Sequence, residues 1–282
     1  MTEEELKFDV LIIGAGPSGL SAAIKLKQLA MVKNRSLSIC VIEKSASLGG
    51  HIISGAIIDT VALSELLPNW QEENCPVTNK VTKDEFYFLL NKTQSLKIPS
   101  FLVPNSLKNN KCYISSLSDV VKWLGQRAEK MDIEIFTGFA ATSLIYGEDG
   151  DVQGVKTGSF GVNRDGSNGK NFEPGISLKA KFTIFAEGSR GQLGKLLIDK
   201  FQLDKNSDPQ NYALGIKELW EIPKKKSKPG SVIHTLGWPL GLETYGGSFL
   251  YHMRNNRVSI GLITGLNYKN PWISPFQEFQ KL

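Results

Sequence analysis

The sequence predicts an α/β protein, with a parallel β-α-β unit opening onto a β-meander and a second, mixed α/β domain after it. Three observations carry that expectation. The apolar run Val10–Ile13 is short and unbroken, the pattern of a strand buried on both faces. Gly14, Gly16 and Gly19 follow at once, and Leu20, Ala23 and Ile24 then recur at helical spacing. A second apolar run, Leu37–Ile42, ends on the acid Glu43.

The glycine turn carries chemistry as well as geometry. Gly14 permits the sharp turn from strand to helix, Gly16 lets a pyrophosphate approach bare backbone, and Gly19 lets the helix pack closely on the strand. The helix N-terminus adds free N–H groups and the positive end of its dipole. Glu43 stands 24 residues after Gly19, where a carboxylate can accept hydrogen bonds from an adenosine ribose. A plain glycine-rich turn is the competing reading in a chain with 27 glycines. Strand, glycines, helix and acid standing in register outweigh it. The first domain is therefore expected to be Rossmann-like and to hold a dinucleotide.

At 282 residues the chain can bury a sizeable core in one large domain or two smaller ones. Its 41% apolar and 22% charged content is ordinary for a globular protein. The net charge of +5 is mild, and the run Lys224–Lys228 reads as a solvated loop, with anionic lipid or an acidic partner as the lesser reading. No aromatics interleave with it, so nucleic acid is not an expected partner. Cys40, Cys75 and Cys112 share no metal or redox spacing. No metal site or disulfide framework is expected, which fits a reducing compartment. The acidic start Met1–Lys7 runs straight into the first strand and does not read as a signal or transit peptide. No apolar run reaches the ~18 residues of a membrane-spanning helix.

The remaining elements follow in order. Gly49, Gly50 and Gly55, in the loop after Glu43, imply backbone brought close to a ligand, with an ordinary flexible loop as the alternative. Residues 57–75 read as a helix ending near Pro68. Residues 75–113 read as an irregular excursion with two apolar clusters, Phe86–Leu90 and Ile98–Pro104. Pro99 and Pro104 bar the second cluster from a central strand or a helix interior. A helix is expected from Ser116 to Met131, capped by Ser118, followed by a strand at Ile133–Phe136. Ala140–Tyr146, Val152–Thr157 and Ile176–Lys179 alternate as a meander, with turns at Glu148–Gly150 and Asn163–Gly166. Phe182–Ala186, Glu187–Gly191 and a helix to Phe201 form a second strand, glycine turn and helix, without a second glycine fingerprint. Strands are then expected at Tyr212–Leu219, Gly230–Leu236, Ser248–Met253 and Arg257–Thr264. The expected domains are 1–205, including the excursion at 75–113, and 206–282.

Several blocks together resemble a known family. They are the glycine fingerprint, Glu43-Lys44, Ser54–Ala56, Ala186–Gly188 and Gly237–Pro239, followed by Thr244–His252 and Asn270–Phe279. In this order they resemble electron transfer flavoprotein–ubiquinone oxidoreductase. The fingerprint is shared by many flavoproteins; the last two blocks are more specific. The resemblance implies a Rossmann-like FAD-binding domain and a quinone-binding domain. It implies FAD at Gly14, Gly16, Gly19, Glu43 and Gly188, with Lys44, Gly49, Gly50, Ser54 and Gly55 beside it, and quinone carbonyls at the Gly246-Gly247 backbone. Without the resemblance, Gly246-Gly247 reads as a bend entering a strand. A four-iron four-sulfur cluster is also implied, but three scattered cysteines do not supply its four thiolates.

The implied activity is electron transfer from reduced electron transfer flavoprotein, through FAD, to ubiquinone in the respiratory chain. No catalytic nucleophile is required, because the cofactor does the redox work. The implied location is peripheral on an inner membrane, at the cytoplasmic side in bacteria or in mitochondria. Leu89, Leu90, Phe101, Leu102 and Val103 are candidates for the lipid-facing mouth of the quinone pocket. His51, His234 and His252 are weaker candidates as proton donors, since a packed or surface histidine is commoner. Two competing readings stand beside this one: a geranylgeranyl reductase-like enzyme with a single FAD, and a truncated, non-catalytic binding module on the same fold.

Overall fold

A computed structural model describes residues 5–53 and 55–282, and backbone alone at Gly55 and Ala56. The chain divides into two compact units, Met1–Ile52 with Leu117–Ser207, and Ile53–Ser116 with Asp208–Leu282. The expected boundary at 205/206 keeps 75–113 with the first domain. In the structure Ile53–Ser116 belongs to the second unit.

The chain opens with strand β1 (Glu5–Ile13), helix α1 (Pro17–Val32) and strand β2 (Ile39–Glu43). Leu11, Ile12, Cys40 and Val41 are fully buried, as two-sided strands require. Pro17 opens α1 at a position where its missing N–H costs nothing.

The next segment enters the second unit. It holds β3 (Gly55–Ile58), α2 (Val61–Leu66), β4 (Asn79–Lys80), β5 (Lys83–Leu89), β6 (Ser95–Ile98) and β7 (Tyr113–Ser116). Two expectations are corrected here. The helix expected over 57–75 is a strand followed by a six-residue helix and turns. Ile57 and Ile58 pair across to Ile114 and Tyr113 of β7, which favours extended backbone for these β-branched residues. The excursion at 75–113 is not irregular, since it supplies three strands, β4, β5 and β6, and the first residue of β7. β6 stops at Ile98, directly before Pro99, and lies at a sheet edge.

The chain then returns to the first unit through α3 (Leu117–Glu129), β8 (Glu134–Thr137), β9 (Ala141–Tyr146), β10 (Val152–Thr157), β11 (Phe160–Val162), β12 (Asn168–Glu173), β13 (Ser177–Phe185) and α4 (Gln192–Phe201). Val120, Val121, Leu124 and Ala128 form the buried face of α3. Ser118 lies inside α3 rather than capping it, and its hydroxyl donates to the Gly49 carbonyl at 2.9 Å. The two strands expected at Ile176–Lys179 and Phe182–Ala186 are one continuous β13. The hairpin β11–β12 is an addition; the predicted turn Asn163–Gly166 forms its tip. The sheet order is β8-β2-β1-β13-β10-β9. Its first four strands are parallel, and β10 and β9 are antiparallel.

The second unit is completed by β14 (Ala213–Glu221), β15 (Ser231–Gly237), β16 (Gly246–His252), β17 (Arg257–Gly265) and α5 (Pro275–Phe279). Its main sheet runs β14-β17-β16-β15-β5-β6, with β15 and β5 the parallel pair. A small sheet, β3-β7-β4, accompanies it. Val81, Ile114, Val232 and Tyr251 form one core, with Ile57 and Phe249 packed on it; Leu240, Leu262 and Phe279 form another. The turn joining β16 to β17 holds Asn255 and Asn256 at φ of 58° and 56°, a left-handed conformation that asparagine tolerates.

Candidate functional site

In the first unit, three strand ends meet at the glycine turn. The Gly14 N–H donates to the Ile42 carbonyl, and the Ala186 N–H to the Ile13 carbonyl, each at 2.8 Å. Gly14 has φ of +106°, and a Cβ there would stand 2.5 Å from the Ala186 carbonyl oxygen. A Cβ on Gly19 would stand 2.0 Å from the Gly14 oxygen. Both glycines are therefore required by the chain's own packing. Gly16 differs, because a Cβ there would meet nothing within 4 Å. It is the N-cap of α1, and no side chain caps the helix. Uncapped amides beside open backbone suit a phosphate.

Glu43 stands at the end of β2 beside this turn. Its Oε2 accepts from the Ala15 N–H at 3.0 Å and its Oε1 from the Ser45 N–H at 2.9 Å. A carboxylate has about four lone-pair sites, so it can tie the loop and still accept from ribose hydroxyls. Lys44 is exposed next to it. Gly188 has φ of +84° and, like Gly16, open space where a Cβ would point. The adjacent Glu187 was not among the sequence candidates. Its carboxylate accepts from the Leu193 and Gly194 N–H groups at 3.1 and 2.7 Å, holding the first turn of α4. An acid shortly before a helix start was the available signal.

Gly49 and Gly50 are occupied by the chain itself. A Cβ on Gly49 would meet the Ser118 oxygens at 2.6 and 2.7 Å, and one on Gly50 the Ser45 hydroxyl at 2.4 Å. Gly55 lies in β3, opposite Ser116 of β7, in the second unit. Ser54 lies outside the described residues.

In the second unit, Gly246 and Gly247 open β16. Cβ atoms there would press on the Ile263 and Thr235 carbonyl oxygens at 2.1 and 2.2 Å. Sheet packing alone accounts for both glycines. On the same sheet, His234 Nε2 and the Tyr251 hydroxyl are 2.8 Å apart, and Tyr251 stacks on Phe249. Burial lowers the pKa of His234 and raises that of Tyr251, favouring the neutral form of each. His252 accepts from the Lys228 N–H through Nδ1, and burial lowers its pKa too. His51 is exposed. Leu90, Phe101 and Leu102 are exposed, Phe101 by 80%, while Leu89 and Val103 are half-buried.

Among the described residues no helix is long and apolar enough to cross a membrane, and no group of three or more His, Cys, Asp or Glu could hold a metal ion.

The parallel sheet, the glycine turn and the open backbone at Gly16 and Gly188 define a Rossmann-like dinucleotide-binding fold. Residues 12–69 match the family model of the NAD(P)-binding Rossmann-like domain. Solved structures share the fold. A geranylgeranyl bacteriochlorophyll reductase-like protein from Thermoplasma acidophilum aligns with a TM-score of 0.66 at 18% identity, over 98% of this chain and 60% of that one. Aklavinone-11 hydroxylase with FAD aligns at 0.58 and 15%, over 93% and 46%.

Residues 212–282 match the model "ETF-QO, ubiquinone-binding". The chain is 51% identical to the probable electron transfer flavoprotein-ubiquinone oxidoreductase of Acinetobacter baylyi, over 99% of its own length and 49% of that protein. It is 46% identical to the human mitochondrial enzyme, over 97% and 44%. The chain thus resembles the electron transfer flavoprotein–ubiquinone oxidoreductases along its whole length and spans about half of theirs.

FAD fits the residues present: bare backbone at Gly16 and Gly188, an uncapped helix start, and a carboxylate with acceptor capacity to spare. An iron–sulfur cluster does not fit, because Cys40, Cys75 and Cys112 are too few for its ligands and form no metal-binding group among the described residues.

Proposed function

We propose that this protein is a flavoprotein oxidoreductase passing electrons from reduced electron transfer flavoprotein to ubiquinone. The observation that carries the reading is the "ETF-QO, ubiquinone-binding" match over residues 212–282, joined in one chain to an FAD-type phosphate turn. FAD, when bound, supplies the redox chemistry. The chain's own part is to place it. The α1 amides and Gly16 receive the pyrophosphate, Glu43 accepts from the ribose, and the Gly188 turn returns open backbone toward the cofactor. Gly49, Gly50, Lys44 and Gly55 support the loop, and the second unit presents the Gly246-Gly247 edge to the quinone.

The working location is peripheral on an inner membrane, bacterial or mitochondrial. The exposed Leu90, Leu96, Phe101, Leu102 and Leu107 would enter lipid, with Val103 beside them. The test is an absorbance spectrum of the purified protein followed by acid release of cofactor. A flavin spectrum with about one FAD per chain, bleached on reduction and restored by ubiquinone, is the expected result. A colourless protein that stays colourless when reconstituted with FAD would favour the non-catalytic binding module.

A further inference from the structure

We propose that Lys217 is the charged hydrogen-bond donor of the quinone site, its amine holding one carbonyl oxygen of the ring from the sheet face that also carries Gly247. The inference rests on the quinone-reducing reading above and adds a side chain to it.

Register places the residues. Lys217 in β14 lies opposite Gly261 in β17, which lies opposite Phe249 in β16. In the adjacent row on the same face, Gly215 lies opposite Ile263, which lies opposite Gly247. The floor of this face is largely bare backbone. The Phe249 ring covers Gly261, where a Cβ would stand 2.4 Å from it, whereas over Gly215 the nearest atom is an Ile263 carbon at 3.9 Å. Gly215 and Ile263 are exposed and Gly247 is half-buried, so a flat ring can reach the row.

Lys217 rises at the side of that floor, half-buried, and donates to the Ile53 carbonyl. An ammonium has three donors, so two N–H groups remain. No carboxylate among the described residues pairs with it, and burial pulls its pKa down. A cation held partly out of water without a counter-ion is costly, which makes an unused structural lysine a poor explanation. Beside an apolar floor, the ligand it suits is a flat, neutral ring bearing a carbonyl oxygen. Reduction to the hydroquinone takes two electrons from the reduced cofactor and two protons from water. Negative charge grows on the ring oxygens, and the ammonium stabilises it without giving up its own proton.

The test uses Lys217→Met and Lys217→Arg in the intact FAD-loaded enzyme. Calorimetry of the oxidised enzyme with a short-chain ubiquinone reads binding, alongside FAD content and melting temperature. K217M should weaken quinone binding about tenfold or more with flavin content and melting unchanged, and K217R should restore most of it. Unchanged quinone affinity in K217M would overturn the proposal while leaving the quinone-reducing reading intact. Loss of affinity only together with melting temperature would also overturn it, making Lys217 a latch on Ile53. A parent enzyme that neither binds nor reduces ubiquinone would instead overturn the functional reading itself.

Discussion

At Gly16 and Gly188 an added Cβ would find nothing within 4 Å, whereas at Gly246 and Gly247 it would press on carbonyl oxygens at 2.1 and 2.2 Å. The two glycine clusters therefore differ in kind, although each was a candidate ligand site by sequence. In the first unit the glycines divide their work, with Gly14 and Gly19 closing the packing and Gly16 and Gly188 staying open. In the second unit an added Cβ on either glycine would be crowded by the sheet's own carbonyls. A glycine with open space at its Cβ position leaves backbone that a ligand can approach, whereas a crowded one is already explained by the chain's own packing. The open ground on that sheet lies beside the pair, at the exposed Gly215 and Ile263, with Lys217 in the next row.

The largest expected effect would break this comparison at its firmest point. Gly19→Ala drives a methyl against the Gly14 carbonyl, so the turn and α1 must part. A loss of about 3 kcal/mol or more in unfolding free energy is expected, with FAD lost as a consequence. Gly14→Val should act the same way, by wedging β1 from Ala186 rather than by obstructing the pyrophosphate. Chemical denaturation of the apoprotein separates the two causes. Native stability without FAD affinity would mean that Gly14 faces the ligand after all.

Gly247→Ala comes next. Its methyl would meet the Thr235 carbonyl and loosen β15 from β16, at about 1–3 kcal/mol. If melting stays unchanged while quinone affinity falls, the pair faces the ligand and the contrast with the first unit disappears. Gly16→Ala is the converse case. The methyl has room, so stability should move by less than about 1 kcal/mol, while FAD affinity, read by flavin fluorescence, should fall about tenfold.

What the sequence showed and hid follows the range of the interactions. β1, α1, β2 and the acid after them are contiguous, so their order and roles could be read locally. The second unit could not. β5 pairs in parallel with β15, Lys83 opposite Ser231, and nothing near residues 83–89 announces a partner so far along the chain. Phe86–Leu90 thus reads as an apolar cluster until its strand partner is known. The fate of Gly246-Gly247 was hidden for the same reason, because the carbonyls that crowd them come from β15 and β17. Lys217 carried no signal at all, since a lysine in an alternating strand looks like a solvent-facing residue.

A pH experiment sharpens the comparison at the level of the sheets. Glu85 in β5 is held at about 2, against an ordinary 4.5, by hydrogen bonds from Lys83 and Lys97. Its folded pKa is depressed, so its contribution is complete above about 4.5 and fades as pH falls toward 2. Lys83→Met with Lys97→Met should flatten this loss of stability in the second unit, as followed by amide exchange. The first unit has a counterpart in Asp9, also held at about 2, by Lys181 and Ser38. The double variant should leave the acid response of that unit unchanged. A parallel change in both would show that the two units unfold as one.

The smallest effect on stability is expected at Phe101, which is 80% exposed in the loop after β6. Phe101→Ser removes little buried area, so unfolding should change by less than about 0.5 kcal/mol. Flavin content should also be unchanged, because the loop is remote in sequence from the phosphate turn and its strands. Binding to liposomes should nevertheless fall, since about 2 kcal/mol of apolar transfer is lost when a phenylalanine no longer enters lipid. Sedimentation with vesicles reads this directly, and Phe101→Leu should recover most of it. A variant that sediments like the parent would remove Phe101 from the lipid-facing set and leave Leu90, Leu96 and Leu107 among its members. A variant that melts early would show that this exposed ring packs against something after all, in which case exposure would have been a poor guide to lipid contact.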